Sequence, residues 1–298
     1  MIPFDFDKIT VQTIDALWLK DKHISLDVLR LDEIHPVISG NKFFKLKYYL
    51  QDAMEHDDNT VATYGGAWSN HISATAYACK LVGLKSIGII RGEEPAVFSA
   101  TLQQAQEDGM QLYFVSRELY KNKLQVQQNF QHENWFWVDE GGYGQTGEKG
   151  TREILQWVTD PEKYTHIIAG VGTGTMLAGF INAVSPHQNV LGISSMKGNK
   201  DLEENVKNLL TASPGSWSIN HDYHFGGFGK ISQELVDFIN QVYREHNIPL
   251  DIIYTSKVMY AIKDLAEKNT FSAGSKLLMI HSGGLQGNRS LAPQVLAF

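Results

Sequence analysis

The stretch His166-Ile167-Ile168-Ala169-Gly170-Val171-Gly172-Thr173-Gly174-Thr175 runs from an isoleucine-rich segment into alternating glycines, then into the apolar Met176-Leu177-Ala178-Gly179-Phe180-Ile181. A short strand, a glycine loop and a helix start, in that order, are a unit of α/β folds. Small loop residues let successive backbone N–H groups converge on one anion. A dinucleotide fails on detail: after Gly170 and Gly172 the GxGxxG pattern needs glycine at 175, where Thr175 stands. The next apolar run ends in Ser194-Ser195, with no acidic residue to hold a ribose. A Walker loop fails because no lysine follows the glycines. A single phosphate monoester on Gly172, Thr173, Gly174 and Thr175 fits better than a nucleotide; a tight turn without a ligand is the plainer alternative.

The same alternation extends over most of the chain. Short apolar runs at 60–63, 86–90, 112–115, 135–138, 166–169, 190–193 and 277–281 alternate with helical periodicity at 42–57, 70–84, 96–107, 147–158, 175–184, 200–210, 233–246 and 257–268. This predicts an α/β fold with mainly parallel strands. The length of 298 residues predicts two domains or one large unit. With 43% hydrophobic and 20% charged residues the composition is globular. Against 33 acidic residues stand 26 Lys and Arg, a net charge of −7, which gives no general attraction to nucleic acid or to a membrane surface. Any anionic ligand must therefore be held locally. Cys79 is the only cysteine, which excludes an intrachain disulfide and a Cys-based zinc site and suits the cytoplasm. Met1 to Asp7 lacks the basic start and apolar stretch of a signal peptide, and no apolar run approaches the ~20 residues of a membrane span. There is no HExxH and no GxSxG; His221 and His224 read as loop residues, so no metal site is expected.

Three further constellations carry chemistry. Ser39-Gly40-Asn41-Lys42-Phe43-Phe44-Lys45 places a lysine at a helix start beside two aromatic rings, surroundings that desolvate an ammonium and lower its pKa. Such a lysine can form a Schiff base, although Lys42, Lys45 and Lys47 in solvent is the ordinary alternative. Tyr64-Gly65-Gly66-Ala67-Trp68-Ser69-Asn70-His71 follows a strand and opens a helix, so Ser69 or Asn70 can cap it while Ser69, Asn70 and His71 face a carboxylate. Ile280-His281-Ser282-Gly283-Gly284 and Tyr254-Thr255 set hydroxyls at strand ends, where ligands of open α/β sheets gather.

Gly-Asn-Lys near residue 40, Ser-Asn-His about thirty residues later, a mid-chain glycine loop and a C-terminal Ser-Gly-Gly occur in that order. This arrangement resembles fold type II pyridoxal-phosphate (PLP) enzymes of the tryptophan synthase β type, and more narrowly the 1-aminocyclopropane-1-carboxylate (ACC) deaminase and D-cysteine desulfhydrase family. The resemblance implies two open twisted, mainly parallel sheets flanked by helices, a homodimer, and PLP as cofactor. By position it implies that Lys42 holds PLP as an internal aldimine and moves protons. It further implies that Asn70 bonds the phenolic oxygen of PLP, and that Ser69, Asn70 and His71 face the carboxylate of a small amino-acid substrate. The Gly172 to Thr175 loop takes the phosphate. Tyr254 lies near the ring and substrate, and either Thr255 or Ser282 partners the pyridine nitrogen.

Departures from the family pattern bear on the reaction. Thr255 stands where the deaminases carry glutamate, as in the desulfhydrase branch; Phe228 falls where a second active-site tyrosine is usual, and Phe44 replaces an arginine between the two lysines. The expected function is a PLP-dependent deaminase or lyase releasing a 2-oxo acid and ammonia, with D-cysteine-like substrates ahead of ACC. The alternatives are a PLP-binding protein without turnover, for which Phe228 speaks, and a PLP-independent α/β protein that binds a phosphate ligand. Because Lys42 must meet a phosphate loop past the chain's midpoint, residues 1–46 and 139–298 are expected to form the larger domain, with 47–138 inserted. The glycines within 139–144 mark the crossing.

Overall fold

The computed structural model describes residues 6–55, 59–211 and 215–298. Its strands are β1 (Thr10–Ile14), β2 (Ser25–Arg30), β3 (Thr60–Gly65), β4 (Lys85–Arg91), β5 (Met110–Val115), β6 (Phe136–Val138), β7 (His166–Val171), β8 (Asn189–Ser194), β9 (Ser216–Asn220) and β10 (Lys276–His281). Its helices are α1 (Leu17–Lys20), α2 (Asn41–Glu55), α3 (Asn70–Val82), α4 (Ala100–Glu107), α5 (Lys123–Asn129), α6 (Gln145–Arg152), α7 (Thr175–Ala183), α8 (Leu202–Lys207), α9 (Gln233–His246) and α10 (Thr255–Glu267). One sheet has the order β1-β2-β10-β7-β8-β9, the other β5-β4-β3-β6. Every pairing is parallel except β1 with β2. None of the described helices is long and apolar enough to cross a membrane.

All seven strands expected from the sequence are present, and three more were not anticipated. β1 (TVQTI) and β9 (SWSIN) lie at the edges of their sheet, and β2 (SLDVLR) alternates polar and apolar residues. None of the three is the continuous Ile/Val run that marks a strand buried on both faces. The helix expected at 147–158 ends at Arg152 and continues as a 3-10 turn, Glu153–Trp157. The one expected at 96–107 begins only at Ala100, where Ser99 accepts a bond from Leu102 N–H. The end of the helix expected at 42–57 falls on residues outside the described ones, as do Met1 to Asp5 at the start of the chain.

Both faces of the larger sheet are covered, and its strands alternate between them as the period of two requires. Leu278 and Ile280 of β10 join one core with Phe44, Leu46 and Leu50 of α2; Leu277 and Met279 join the other with Val258 and Ile262 of α10. Single glycines set the helix spacing. A Cβ at Gly150 of α6 would overlap the Phe44 carbonyl oxygen of α2, so these two helices touch backbone to backbone.

Two glycine turns also meet back to back. Gly40 has φ +66° and Gly283 has φ +72°, conformations that L side chains rarely adopt. A Cβ at Gly40 would overlap the Ser282 carbonyl oxygen, and one at Gly283 would lie 2.6 Å from Ser39 Oγ. Asn41 N–H donates to that same Ser282 carbonyl at 3.2 Å, which fixes the first residue of α2 to the end of β10. Gly40→Ala combines a strained φ with overpacking against backbone. Urea denaturation is expected to register a loss of about 2–4 kcal/mol. A loss below about 0.5 kcal/mol would mean that the contact is not a constraint.

Candidate active site

The C-terminal ends of the parallel strands in both sheets open onto one cavity of about 1110 Å³. Ligands of open α/β sheets gather at such ends. Lys42, Ser69, Asn70, His71, Gly172 and Tyr254 all line it, with Thr173, Gly174, Phe228 and Ser282. The structure therefore assembles residues that the sequence scatters over most of the chain.

Lys42 sits at the head of α2, half-buried in the cavity wall, and makes no hydrogen bond with another described residue. Burial pushes its ammonium down to about 8, against the opposing pull of the Asp251 carboxylate. Lys45 is not in solvent: it is 4% exposed, donates to the Gly141 carbonyl at 3.1 Å, and is held well below the usual lysine range by burial and by Lys42. Only Lys47 matches the ordinary reading, paired with Glu153 at the surface.

Ser69 caps α3 by accepting from Ile72 N–H at 3.3 Å. Asn70 uses Nδ2 on the Gly284 carbonyl at 3.3 Å, while its Oδ1 is buried without a partner. His71 bonds Thr63 through Nε2 at 2.9 Å and leaves Nδ1 unpartnered; burial, then Lys42 and Lys45, push it well below the usual histidine range, so it is neutral. Buried polar atoms without partners are uncommon and expensive, and two of them facing one cavity point to a ligand.

On the opposite wall, β7 leads into the glycine loop and α7. Gly174, at φ +95°, is the cap residue, and the Thr173 and Thr175 hydroxyls lie 3.0 Å apart. A Cβ at Gly172 would come within 2.9 Å of the Tyr254 hydroxyl, so the loop packs this closely on the Tyr254 ring only because that position is bare. Burial, reinforced by Asp251 and Glu140, pushes the Tyr254 phenol up, which keeps it protonated. Phe228 is half-exposed at the cavity wall and packs edge-on against Tyr254, ring centroids 6.1 Å apart.

Thr255 is not brought to the cavity. Its hydroxyl donates to Asp251 Oδ1 at 2.7 Å and accepts from Asp251 N–H at 2.7 Å, which commits it to the start of α10. Ser282, by contrast, lines the cavity, and its hydroxyl has no hydrogen bond with another described residue. Phe44 is a core residue, 1% exposed against Phe43. His221 pairs with Glu203 at 2.7 Å, and His224 Nδ1 accepts from Gly226 N–H. Among the described residues no His/Cys/Asp/Glu cluster could hold a metal.

Two buried charges escaped the sequence reading. Asp251 accepts from the N–H groups of Ile253, Tyr254 and Thr255, and so orients Tyr254. Its cue was an aspartate just before a helix start. Lys257 is fully buried and donates to the carbonyls of Ser195, His224 and Gly227 at 3.4, 2.9 and 3.0 Å, which pins the loop carrying Phe228. Nothing in its sequence neighbourhood marks it.

Residues 20–283 match the family described as pyridoxal-phosphate dependent enzymes. The chain belongs to this family. It is 32% identical over 270 residues, 84% of this chain and 81% of the relative, to a putative 1-aminocyclopropane-1-carboxylate deaminase of Pyrococcus abyssi. It is 26% identical to the bifunctional D-cysteine desulfhydrase/1-aminocyclopropane-1-carboxylate deaminase, mitochondrial, of Arabidopsis thaliana, over 84% of this chain and 70% of that one. Among solved structures, an ACC deaminase homologue superposes with a TM-score of 0.80 at 26% identity, covering 96% of this chain and 91% of the other. O-ureido-L-serine synthase, at 15% identity and a TM-score of 0.70, shares the fold. Family membership sets aside the PLP-independent alternative.

The residues fit the cofactor: an unpartnered, partly desolvated amine, a bare glycine loop at a helix N-terminus, and unpartnered polar atoms of Asn70 and His71 share one cavity. Only a neutral amine adds to an aldehyde. The rate at which PLP attaches to the cofactor-free chain is therefore expected to rise with pH and level off above about 8. Stopped-flow absorbance reads this directly. A rate still climbing toward ~10, the range of an ordinary lysine, would contradict the desolvation of Lys42.

Proposed function

We propose that the chain is a PLP-dependent lyase or deaminase of small amino acids that releases a 2-oxo acid and ammonia, with D-cysteine-like β-substituted substrates ahead of ACC. The observation that carries this reading is the Lys42 amine, without a hydrogen-bond partner and lowered by burial, in one cavity with the glycine loop and the Ser69-Asn70-His71 helix start. The family supports the cofactor, and the names of the relatives support the substrate class.

When bound, PLP links covalently to amines through its aldehyde and draws electron density from the amino acid's Cα. The Gly172 to Thr175 loop and the first turn of α7 would hold its phosphate, Asn70 its phenolic oxygen, and Ser282 its ring nitrogen, since the Thr255 hydroxyl is spent on Asp251. Ser69, Asn70 and His71 receive the substrate carboxylate at the N-terminus of α3, where backbone N–H groups favour an anion. His71 serves there through its backbone N–H: its ring is neutral, and its Nε2–H is given to the Thr63 hydroxyl, which itself donates to the Val138 carbonyl, so Nδ1 is an acceptor. Lys42, as a neutral amine without a hydrogen-bond partner, would take the Cα proton onto Nζ. Tyr254, kept protonated, faces the reacting centre and can return a proton, while Phe228 closes its outer side. Loss of a β-leaving group with its electron pair, followed by hydrolysis, gives pyruvate and ammonia. A neutral Ser282 hydroxyl would not hold the ring nitrogen protonated. The electron sink is then weaker than with a carboxylate partner, which favours elimination over opening the ACC ring.

The same proposal takes residues 1–46 and 139–298 as the larger, cofactor-binding domain and 47–138 as the inserted one, which the membership of β3 to β6 in a separate sheet supports. It includes a homodimer, and a cytoplasmic setting that the single, buried, unpaired Cys79 suits.

The test is to supply D-cysteine, L-cysteine, D-serine and ACC separately to the PLP-loaded protein and measure pyruvate or 2-oxobutanoate. Pyruvate from D-cysteine is expected to exceed 2-oxobutanoate from ACC, and Lys42→Ala is expected to lower the rate by about 10²–10⁴-fold or more. No 2-oxo acid from any substrate, with PLP demonstrably attached, would leave the binding protein without turnover as the correct reading.

A further inference from the structure

We infer that the part of the cavity formed by the smaller sheet is a second anion subsite, built by Arg91 and Arg117. The preferred amino acids then carry an anionic group on the side chain, a carboxylate or a phosphate, in addition to the α-carboxylate. The inference rests on the lyase reading above and narrows its substrate class.

β4 ends at Arg91, and β5 ends at Val115, two residues before Arg117. Arg91 pairs with Val115 across the ladder, and Gly92 N–H donates to the Val115 carbonyl at 2.8 Å, which draws the two strand ends together. A Cβ at Gly92 would lie 4.0 Å from Arg117 Nε, and one at Gly66, in the loop that opens α3, would lie 3.8 Å from Arg91 Nη2. The Arg91 guanidinium is thus next to the turn that leads to Ser69, the Arg117 guanidinium lies beside the end of β4, and both side chains line the cavity that holds Lys42.

Neither guanidinium makes a hydrogen bond or ion pair with another described residue; Arg91 only approaches the Tyr120 ring, at 5.9 Å. The third cation of this wall is accounted for: Lys123 pairs with Glu140 at 3.2 Å and lies over the Tyr120 ring. Of the acidic lining residues, Glu140 is thereby neutralised, and the Asp139 carboxyl is pushed up by burial. Arg91 and Arg117 are both exposed and solvated as they stand; what sets them apart is that two guanidinium groups without an acidic partner line the same cavity. Arginine offers a rigid fork matched to carboxylate and phosphate oxygens. Because the helix start at Ser69 takes the α-carboxylate, the arginine pair is left for a second anion. A neutral side chain gains nothing from it.

Calorimetric titration of the PLP-loaded enzyme with isosteric pairs tests this: aspartate against asparagine and O-phosphoserine against serine, each in both enantiomers, with D-cysteine as the reference. The anionic member of at least one pair is expected to bind about tenfold tighter or more, as for hydrogen bonds to charged groups. That preference is expected to fall by about tenfold in Arg91→Gln or Arg117→Gln and to shrink with added salt. Neutral members that bind as tightly as anionic ones, or a preference that survives both substitutions, would overturn the inference. Binding of D-cysteine but of neither anionic probe would overturn it while leaving the lyase reading intact. Failure of every amino acid, D-cysteine included, would defeat both.

Discussion

Everything at the site depends on one backbone contact, that of the Gly40 turn against the Ser282-Gly283 turn. The Ser282 carbonyl fills the space that a side chain at position 40 would occupy, and the same carbonyl receives Asn41 N–H. The contact sets where α2 begins and therefore where Lys42 projects. Because β10 lies between β2 and β7, it also fixes the helix start relative to the strand that leads into the glycine loop. A residue early in the chain thus comes to a phosphate-sized cradle past the midpoint. No single segment of sequence contains the site.

The electrostatics follow from the same geometry. Parallel strands direct their C-terminal ends, and the helix starts that follow them, toward one cavity, so the local field favours anions although the molecule carries a net charge of −7. Burial does the rest: Lys42 and Lys257 are both pushed down to about 8, and Asp251 opposes the shift in each case. The consequences differ because the surroundings differ. Lys257 is enclosed by three carbonyl acceptors and serves as a clamp on the Phe228 loop, whereas Lys42 has no hydrogen-bond acceptor and opens onto the cavity. An amine with no internal partner is the one left for chemistry.

Much of this was legible in the sequence, for physical reasons. Strands buried on both faces read as continuous Ile/Val runs, which is why 166–169 and 277–281 were found, whereas β1, β2 and β9 mix polar and apolar residues and were not. Of the site residues singled out in the sequence, all but Thr175 and Thr255 line the one cavity, because glycine turns after strands and at helix starts leave a local signature. The Thr255 hydroxyl was misplaced because its engagement by Asp251, four residues earlier, is a matter of side-chain direction that spacing does not encode. Lys45 in solvent was the ordinary alternative because a lysine on a helix usually is exposed; the Gly141 carbonyl that receives it comes from a turn 96 residues away. Lys257 and the Arg91–Arg117 pair depend on tertiary neighbours in the same way, and periodicity is silent about them.

The central claim is that the backbone contact at Gly40 presents Lys42, and no other lysine, as the amine that carries the cofactor. The most direct measurement is to load the protein with PLP, reduce it with borohydride, digest it and map the modified peptide by mass spectrometry. The account predicts a single modification at Lys42. Modification at Lys45 or Lys257, or none at all, would contradict it.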